Sequence, residues 1–267
     1  MRQTIRNLDL IEIATLLEWA AGEGWNPGLN DAPAFQAADP NGFFGAFVDG
    51  AMVAGISTVA YDAHFGFIGL YICHPDWRGQ GHGKAVWDAG MAYLGNRTIG
   101  LDGVPEQQAN YASMGFAPAY DTIRMSGHLA ATAAPLPAAS LDLIRGLDRQ
   151  CFPASRDAFL TNWLASPNQR MVHLAQGIVY AYAVLRPCRD GCKIGPLFAR
   201  DLDAAMDILA TLSGRVHIDV PAVQTAWLAA LTERGFTPGF RTTRMYRGAP
   251  PTVRMPSIFG ISSLELG

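Results

Sequence analysis

The chain is poor in the features that mark several protein classes. Only 16% of its 267 residues are charged and the formal net charge is −3. There is no basic surplus of the kind that binds nucleic acid, and aromatic and basic residues are not interleaved along any stripe. No stretch reaches the roughly 18 consecutive apolar residues of a membrane span. The start, MRQTIRNLDL, lacks the basic-then-apolar run of a secretory leader, so a cytoplasmic protein without a membrane partner is expected. Cysteine is also scarce: Cys73, Cys151, Cys188 and Cys192. The last two flank Arg189-Asp190-Gly191, which reads as a hairpin turn. That spacing is wrong for a zinc half-site and no second half-site exists, so reduced structural thiols and no metal are expected.

What is present points to a folded chain of one large or two ordinary domains. Hydrophobic residues make up 49%, enough for substantial cores, and the low charge argues against disorder. Charge is unevenly spread. Residues 1–129 carry 6 basic and 13 acidic side chains, net −7, and residues 130–267 carry 14 and 10, net +4. Two lobes that dock through complementary fields would account for this, as would two lobes that treat a charged substrate differently.

A duplication supports two lobes. GFAPAYDTIRM begins at Gly115 and GFTPGFRTTRM at Gly235. Both read Gly-Phe, any, Pro, any, aromatic, any, Thr, any, Arg, Met, at a constant offset of 120 residues. The halves therefore share a fold, separated by a Pro/Ala-rich linker at 130–139, ATAAPLPAAS.

The first half reads as mixed α/β. Residues 9–21 have helical apolar spacing, and a short helix is expected near 31–39. GFFGAFVDGAMVAGISTVAYD gives two strands joined at Asp49-Gly50, a hairpin signal. FGFIGLYICHP is a buried strand, AVWDAGMAYL a helix, RTIGLDGV a strand, EQQANYASMG a helix ended by Gly115, and 116–129 is extended. An open sheet with a central strand–loop–helix crossover fits this order.

Between that buried strand and helix lies HPDWRGQGHGKAV, residues 74–86. A helix N-terminus offers free N–H groups to an anion, glycines let a phosphate approach, and an arginine adds charge-assisted hydrogen bonds. A Walker loop is excluded, because Arg78 stands where glycine is needed and Ala85 replaces the hydroxyl. A dinucleotide fingerprint is excluded because Lys84 interrupts Gly79, Gly81 and Gly83. What remains is R-x-x-G-x-G, met by Arg78, Gly81 and Gly83.

CHPDWRGQGHGKAVW resembles motif A of the GNAT N-acetyltransferase superfamily, and Tyr111-Ala-Ser-Met-Gly115-Phe116 resembles its Tyr-x-x-x-Gly-Phe signature. The resemblance implies an α/β chain of two tandem GNAT-like acyl-CoA N-acyltransferase domains, each a mixed, mostly antiparallel sheet flanked by helices. Residues 1–129 would be catalytic, and 140–267 a degenerate domain that completes the acceptor site. It further implies that the strand end at Tyr71, Ile72 and Cys73 splays and pairs with pantetheine. The amides of Gly79, Gln80, Gly81, His82, Gly83 and Lys84 would cradle the pyrophosphate beside Arg78, and Tyr111 would protonate the leaving thiolate. A backbone N–H near Cys73 would stabilise the oxyanion. His82 and Lys84 also read as solvent-facing side chains, and Tyr111 as a packing residue.

The family often places a glutamate base on the central strand, and FGFIGLYIC has no carboxylate. A water relay is expected instead. Glu23, in AGEGWNPG, is the base candidate, against a solvated loop charge. Asp62 and His64 read more simply as turn residues. Asp102 is weakened as a base because Asp219 occupies its counterpart in the second half. Val104 stands where the family carries an asparagine, and Trp25 either walls the acceptor pocket or anchors its loop.

The second half has KIGPLFARDLDAAM at the loop position and Leu231 in place of Tyr111, so it should neither bind acyl-CoA nor catalyse. Arg241, Arg244 and Arg247 form a solvated strand face or a contact for a carboxylated acceptor. The expected function is acetyl transfer from acetyl-CoA to a primary amine of a small metabolite by direct attack in a ternary complex. The alternative is a non-catalytic acyl-CoA sensor.

Overall fold

The computed structural model describes residues 2–136, 140–165, 167–175 and 177–267. Of the linker expected at 130–139, residues 137–139 lie outside the described ones. The first half runs β1 (Gln3–Asn7), α1 (Leu10–Gly22), α2 (Asp31–Ala38), β2 (Phe43–Val48), β3 (Ala51–Ala60), β4 (Phe65–Cys73), α3 (His82–Leu94), β5 (Thr98–Gly103), α4 (Gln108–Ser113) and β6 (Ala117–Leu129). The second runs α5 (Leu141–Cys151), α6 (Asp157–Trp163), β7 (Gln169–Ala175), β8 (Ile178–Pro187), β9 (Cys192–Ala199), α7 (Leu202–Ala210), β10 (Gly214–Pro221), α8 (Thr225–Glu233), β11 (Thr237–Arg247) and β12 (Ile258–Gly260). This is the mixed α/β architecture expected, with helices flanking a mixed sheet.

Local chemistry sets the boundaries. Asp9 and Glu12 close a capping box at the start of α1: the Asp9 side chain accepts from Glu12 N at 2.9 Å, and Glu12 accepts from Asp9 N at 3.0 Å. Asp49 and Gly50 both adopt positive φ, 50° and 87°, as a two-residue hairpin demands. Cys188 N donates to Gly191 O at 3.0 Å across the second-half turn, and all four cysteines are free. Asp62 accepts from the amides of His64 and Phe65 at 2.7 and 2.8 Å, a turn role.

The halves meet in one continuous sheet, in the order β1-β2-β3-β4-β5-β11-β6-β10-β9-β8-β7. The repeated strands have changed places: β11 pairs with β5 of the first half, and β6 pairs with β10 of the second. β6 and β11 pair with each other, Thr122 opposite Thr242. The two threonines are equivalent in the repeat, so a local two-fold axis passes between them.

Each exchanged strand carries the repeat's arginine to an aspartate of the other half. Arg124 donates to Asp219 through Nε (2.7 Å) and Nη2 (3.0 Å). Arg244 donates to Asp102 through Nε (2.9 Å) and Nη2 (2.8 Å). All four side chains are buried, and the paired bonds fit fork to carboxylate. Asp102 is thus an anchor for Arg244. Arg241 pairs with Asp121 at 3.2 Å, and Arg186–Asp31 and Arg189–Glu18 also cross between the basic and acidic halves.

The segment 248–267 lies back over both halves. β12 pairs antiparallel with β9, and Ile261 N donates to Asp219 O at 3.0 Å. This stretch therefore occupies the gap that opens between β9 and β10 beyond their parallel pairing at 192–194 and 216–218. A side chain at Gly195 is excluded, since its Cβ would lie 2.3 Å from Ser262 O. Further on, Ser57 Oγ donates to Glu265 O at 3.3 Å, and Tyr61 OH to Leu266 O at 2.9 Å. A Cβ at Gly69 would lie 2.0 Å from the Glu265 carbonyl oxygen.

Two predictions follow from these contacts. Burial works to raise the Asp219 carboxyl, but Arg124 and Lys193 together hold it down at about 2. Asp219→Asn leaves both cations uncompensated and should lower the unfolding free energy by about 3–5 kcal/mol at neutral pH, read by urea titration. A depressed carboxyl contributes fully above its unfolded pKa of about 3.9. The gap between wild type and variant should therefore stay constant above pH ~5 and close between pH ~4 and ~2; a gap unchanged down to pH ~2 refutes the assignment. Gly69→Ala should cost about 1–3 kcal/mol by displacing backbone at Glu265. Gly22→Ala, with open space around its Cβ, should be neutral or stabilising; equal effects would exclude the close approach as the cause.

Candidate active site

β4 is built to come apart from its neighbour. It pairs in parallel with β5 only from Phe65 to Ile68, opposite Thr98 to Leu101. Against β3 the register slips between Gly69 and Ile72, so Leu70 and Tyr71 together face Ile56. Leu70 sits there at φ 47°, a strained conformation for leucine that marks a β-bulge. Beyond the bulge the β5-facing edge of β4 is unpaired and borders a cavity of about 660 Å³.

The glycine loop follows at the end of β4. Gly79 and Gly81 adopt φ 75° and 88°, with open space where a Cβ would stand. Arg78 N bonds to Pro75 O and Ala85 N to Gly81 O. Between them, the amides of Gly79 through Lys84 donate to no backbone carbonyl among the described residues. These free N–H groups at the start of a 13-residue helix form an anion cradle.

The side chains of the loop differ in what they face. Arg78 Nε donates to Cys73 O at 3.1 Å and its Nη2 to Glu23 at 2.5 Å. Gln80 bonds back to Asp76 O at 3.3 Å. His82 turns inward, 3.2 Å from Gln3 and edge-on to Trp77. Lys84 lies at the surface, paired with Asp88 one turn on. The loop thus presents backbone, with Arg78 as its charged neighbour.

Tyr111 is placed by three aromatic and glycine contacts. Trp87 of α3 stacks on it at 5.7 Å, Phe116 meets it edge-on at 6.4 Å, and a Cβ at Gly103 would lie 3.0 Å from the ring. It is buried and lines the cavity together with Tyr71, Ile72, Cys73, Arg78 and Glu23. Burial raises its phenol well above the ordinary tyrosine value and so holds it protonated. Burial also raises Cys73, which therefore behaves as a thiol lining the wall.

The same cavity is lined by second-half residues that sequence reasoning did not single out: Phe240, Thr242, Leu264 and Glu265. Exchange of β11 brings the first two beside β5, and the segment after β12 brings the others beside β4. A hint in the sequence is Gly69, in the middle of β4. Trp25 does both of the jobs proposed for it. Its side chain lines the cavity, while its carbonyl accepts from Arg124 Nη1 at 2.8 Å and Lys193 Nζ at 3.2 Å. Four carboxyl residues, Glu23, Asp102, Glu106 and Glu265, line the cavity against one cation, Arg78. Arg244 is committed to Asp102 and Arg241 to Asp121.

Among the described residues no helix is long and apolar enough to cross a membrane, and no cluster of three His, Cys, Asp or Glu could hold a metal ion.

Comparison with known proteins agrees with this geometry. Residues 10–117 match the acetyltransferase (GNAT) family and residues 144–260 an acetyltransferase (GNAT) domain. The holothin acyltransferase of Pseudoalteromonas sp. (strain SANK 73390) is 31% identical over 278 aligned positions, covering 99% of this chain and 94% of the relative. A Pyrococcus horikoshii structure described as a candidate acetyltransferase superposes with a TM-score of 0.83 at 18% identity, over 99% of this chain and 96% of that one. A tandem GNAT protein from the clavulanic acid biosynthesis pathway superposes with a TM-score of 0.66 at 15% identity, over 93% and 99%. With a GNAT match in each half and a full-length acyltransferase relative, the chain belongs to the tandem GNAT acyltransferases.

Proposed function

We propose that the protein transfers an acetyl group from acetyl-CoA to the primary amine of a small, largely apolar molecule. The observation that carries this reading is a cavity bordered by the splayed edge of β4, the buried Tyr111 and Arg78, the residue that leads into the anion cradle before α3. Pyrophosphate would lie on the amides of Gly79 to Lys84, and pantetheine along Tyr71, Ile72 and Cys73, with the thioester near Tyr111.

The reaction needs no covalent enzyme intermediate. A neutral amine attacks the thioester carbonyl, and a backbone N–H near Cys73 stabilises the oxyanion. The C–S bond then breaks, Tyr111, still protonated, gives its proton to the thiolate, and the proton shed by the acylated nitrogen returns through water to the phenolate. The first half holds the donor, and Phe240, Thr242, Leu264 and Glu265 from the second half wall the acceptor's side. The second half would bind no acyl-CoA of its own, since it lacks the glycine loop and β12 occupies the gap between its parallel strands.

The lining supports an amine over a carboxylated acceptor. Carboxyls outnumber cations there, and Arg241 and Arg244 of β11 are engaged elsewhere. Trp25, Phe240, Leu101, Val104 and Leu264 make the rest of the wall aromatic or apolar. The relative named for acylating holothin is in keeping with a small-molecule acceptor.

Incubation with acetyl-CoA and a pooled metabolite extract, followed by mass spectrometry, should yield one acetylated amine and free CoA. Tyr111→Phe should lower turnover by about 10²–10⁴-fold while the acetyl-CoA Kd, measured by calorimetry, stays within about twofold. Binding without turnover in both forms would favour the sensor, and absence of acetyl-CoA binding would remove the basis of the proposal.

A further inference from the structure

Glu265 is a buried carboxyl whose Oε1 makes no hydrogen bond among the described residues. It is 2% exposed, and its Oε1 is shut off from solvent without a hydrogen-bond partner among the described residues. Only its backbone is used, through Ser57. Leaving a buried carboxyl oxygen unpaired costs about 1–3 kcal/mol or more, so such a group calls for a partner that arrives later. A second cavity residue, Thr242, also has a buried and unpartnered Oγ1. Two unmatched polar atoms, on residues lining one cavity, point to a polar group that is not part of the protein.

Of the other cavity carboxyls, Glu106 is exposed to solvent and the remaining two are committed. Glu23 pairs with Arg78 at 2.5 Å, and both oxygens of Asp102 are taken by Arg244. The Glu265 backbone approaches β4 at Gly69, where the missing side chain makes room for it. β4 itself carries no carboxylate. Glu265 thus adds a carboxyl residue to the lining of the cavity that β4 borders, from a segment almost 200 residues away in sequence.

Charge around it is balanced for this use. Arg124 is paired with Asp219 and Arg186 with Asp31. Lys193 is buried nearby and lies 3.9 Å from Asp219, which Arg124 already occupies. Three cations thus face two committed carboxylates, with Glu265 as the third anion of the group.

We infer that Glu265 binds the acceptor's amine and takes its proton before acyl transfer, an assignment that rests on the acyl-transfer reading above. An alkylammonium donates a hydrogen bond to the Glu265 carboxylate and passes one proton to it, directly or through a water molecule. The freed nitrogen lone pair forms the C–N bond as the thioester C–S bond breaks and Tyr111 protonates the thiolate. The second proton, released by the nitrogen once it is acylated, passes through water to the Tyr111 phenolate, and the proton on Glu265 returns to solvent when the site opens. Thr242 Oγ1 accepts a second amine hydrogen and fixes the nitrogen's approach.

The test uses the full chain, wild type and Glu265→Gln, with acetyl-CoA and benzylamine as the probe amine, following CoA release from pH 6 to 10. Glutamine keeps the shape of the side chain but cannot take the proton. The expected result is a fall in kcat/KM of about 10²-fold at pH 7, shrinking as pH rises and more amine arrives unprotonated. Acetyl-CoA affinity and Tm should hold, and Glu265→Asp should recover part of the rate. A purely structural role would instead weaken acetyl-CoA binding or Tm and give a deficit independent of pH, which overturns the inference. Wild-type turnover equalled by Glu265→Gln overturns the inference alone. Acetyl-CoA binding by a wild type that releases no CoA with any amine overturns the acyl-transfer reading, and this inference with it.

Discussion

The two arginine–aspartate pairs across the repeat fix the architecture. Arg124 and Arg244 are the same residue of the same motif, 120 positions apart, and each finds its carboxylate in the opposite half. A buried guanidinium without a partner costs several kcal/mol, whereas a paired one can be close to neutral. The pairs therefore act by penalising alternatives. A strand returned to its own half would still bury its arginine, but each half would then close on itself and forfeit the β6–β11 seam. With the strands exchanged, neither half has a complete sheet without the other.

That constraint explains why the cavity is composite. β5 would otherwise be the edge at which the first half's cleft opens. β11 now lies along it and supplies Phe240 and Thr242, while Arg124 and Lys193 reach back to hold the Trp25 carbonyl. The α1–α2 loop, the exchanged strand and the 258–267 segment are fastened to one another by buried charges. One part of the cavity wall is thus set by second-half residues, and another by β4 and Arg78.

What could be read from sequence divides along the same line. The glycine loop, Tyr111, the Asp49-Gly50 hairpin and the α1 cap are local patterns whose chemistry is complete within a few residues. The duplication was equally visible. Strand exchange was not, because the two GF-x-P strands are alike in pattern and either could complete either sheet. Asp102 and Asp219 could be matched as equivalents, but their partners could not be named, since equivalence says nothing about which half each arginine joins. Val104 was noted as a departure from the family pattern, yet its place in the cavity wall depends on the turn after β5. Glu265 sits in SSLELG, a stretch with no periodicity or motif. Its position depends on β12 threading between β9 and β10, a tertiary event without a local signature. Arg78 shows the opposite limit: its place beside the loop was readable, but its pairing with Glu23 joined two residues weighed separately.

The segment after β11 links the loss of one site to the completion of the other. Residues 258–261 fill the gap between β9 and β10, hydrogen-bonded to both strands. The corresponding gap between β4 and β5 stays open and borders the cavity. An occupied gap in the second half cannot also admit an extended ligand, so a glycine loop there would have no function. The same occupancy sets the direction in which the chain leaves. Ser262 is held by Arg156 Nη1 at 2.7 Å, and the next residues emerge on the side facing β4. There Gly69 gives room for the Glu265 backbone, and Tyr61 takes the carbonyl of Leu266. Had the second gap remained open, this segment would have lost its β12 pairing and its fixed exit. The filled gap of the second half and the composite wall of the first are therefore consequences of one chain path.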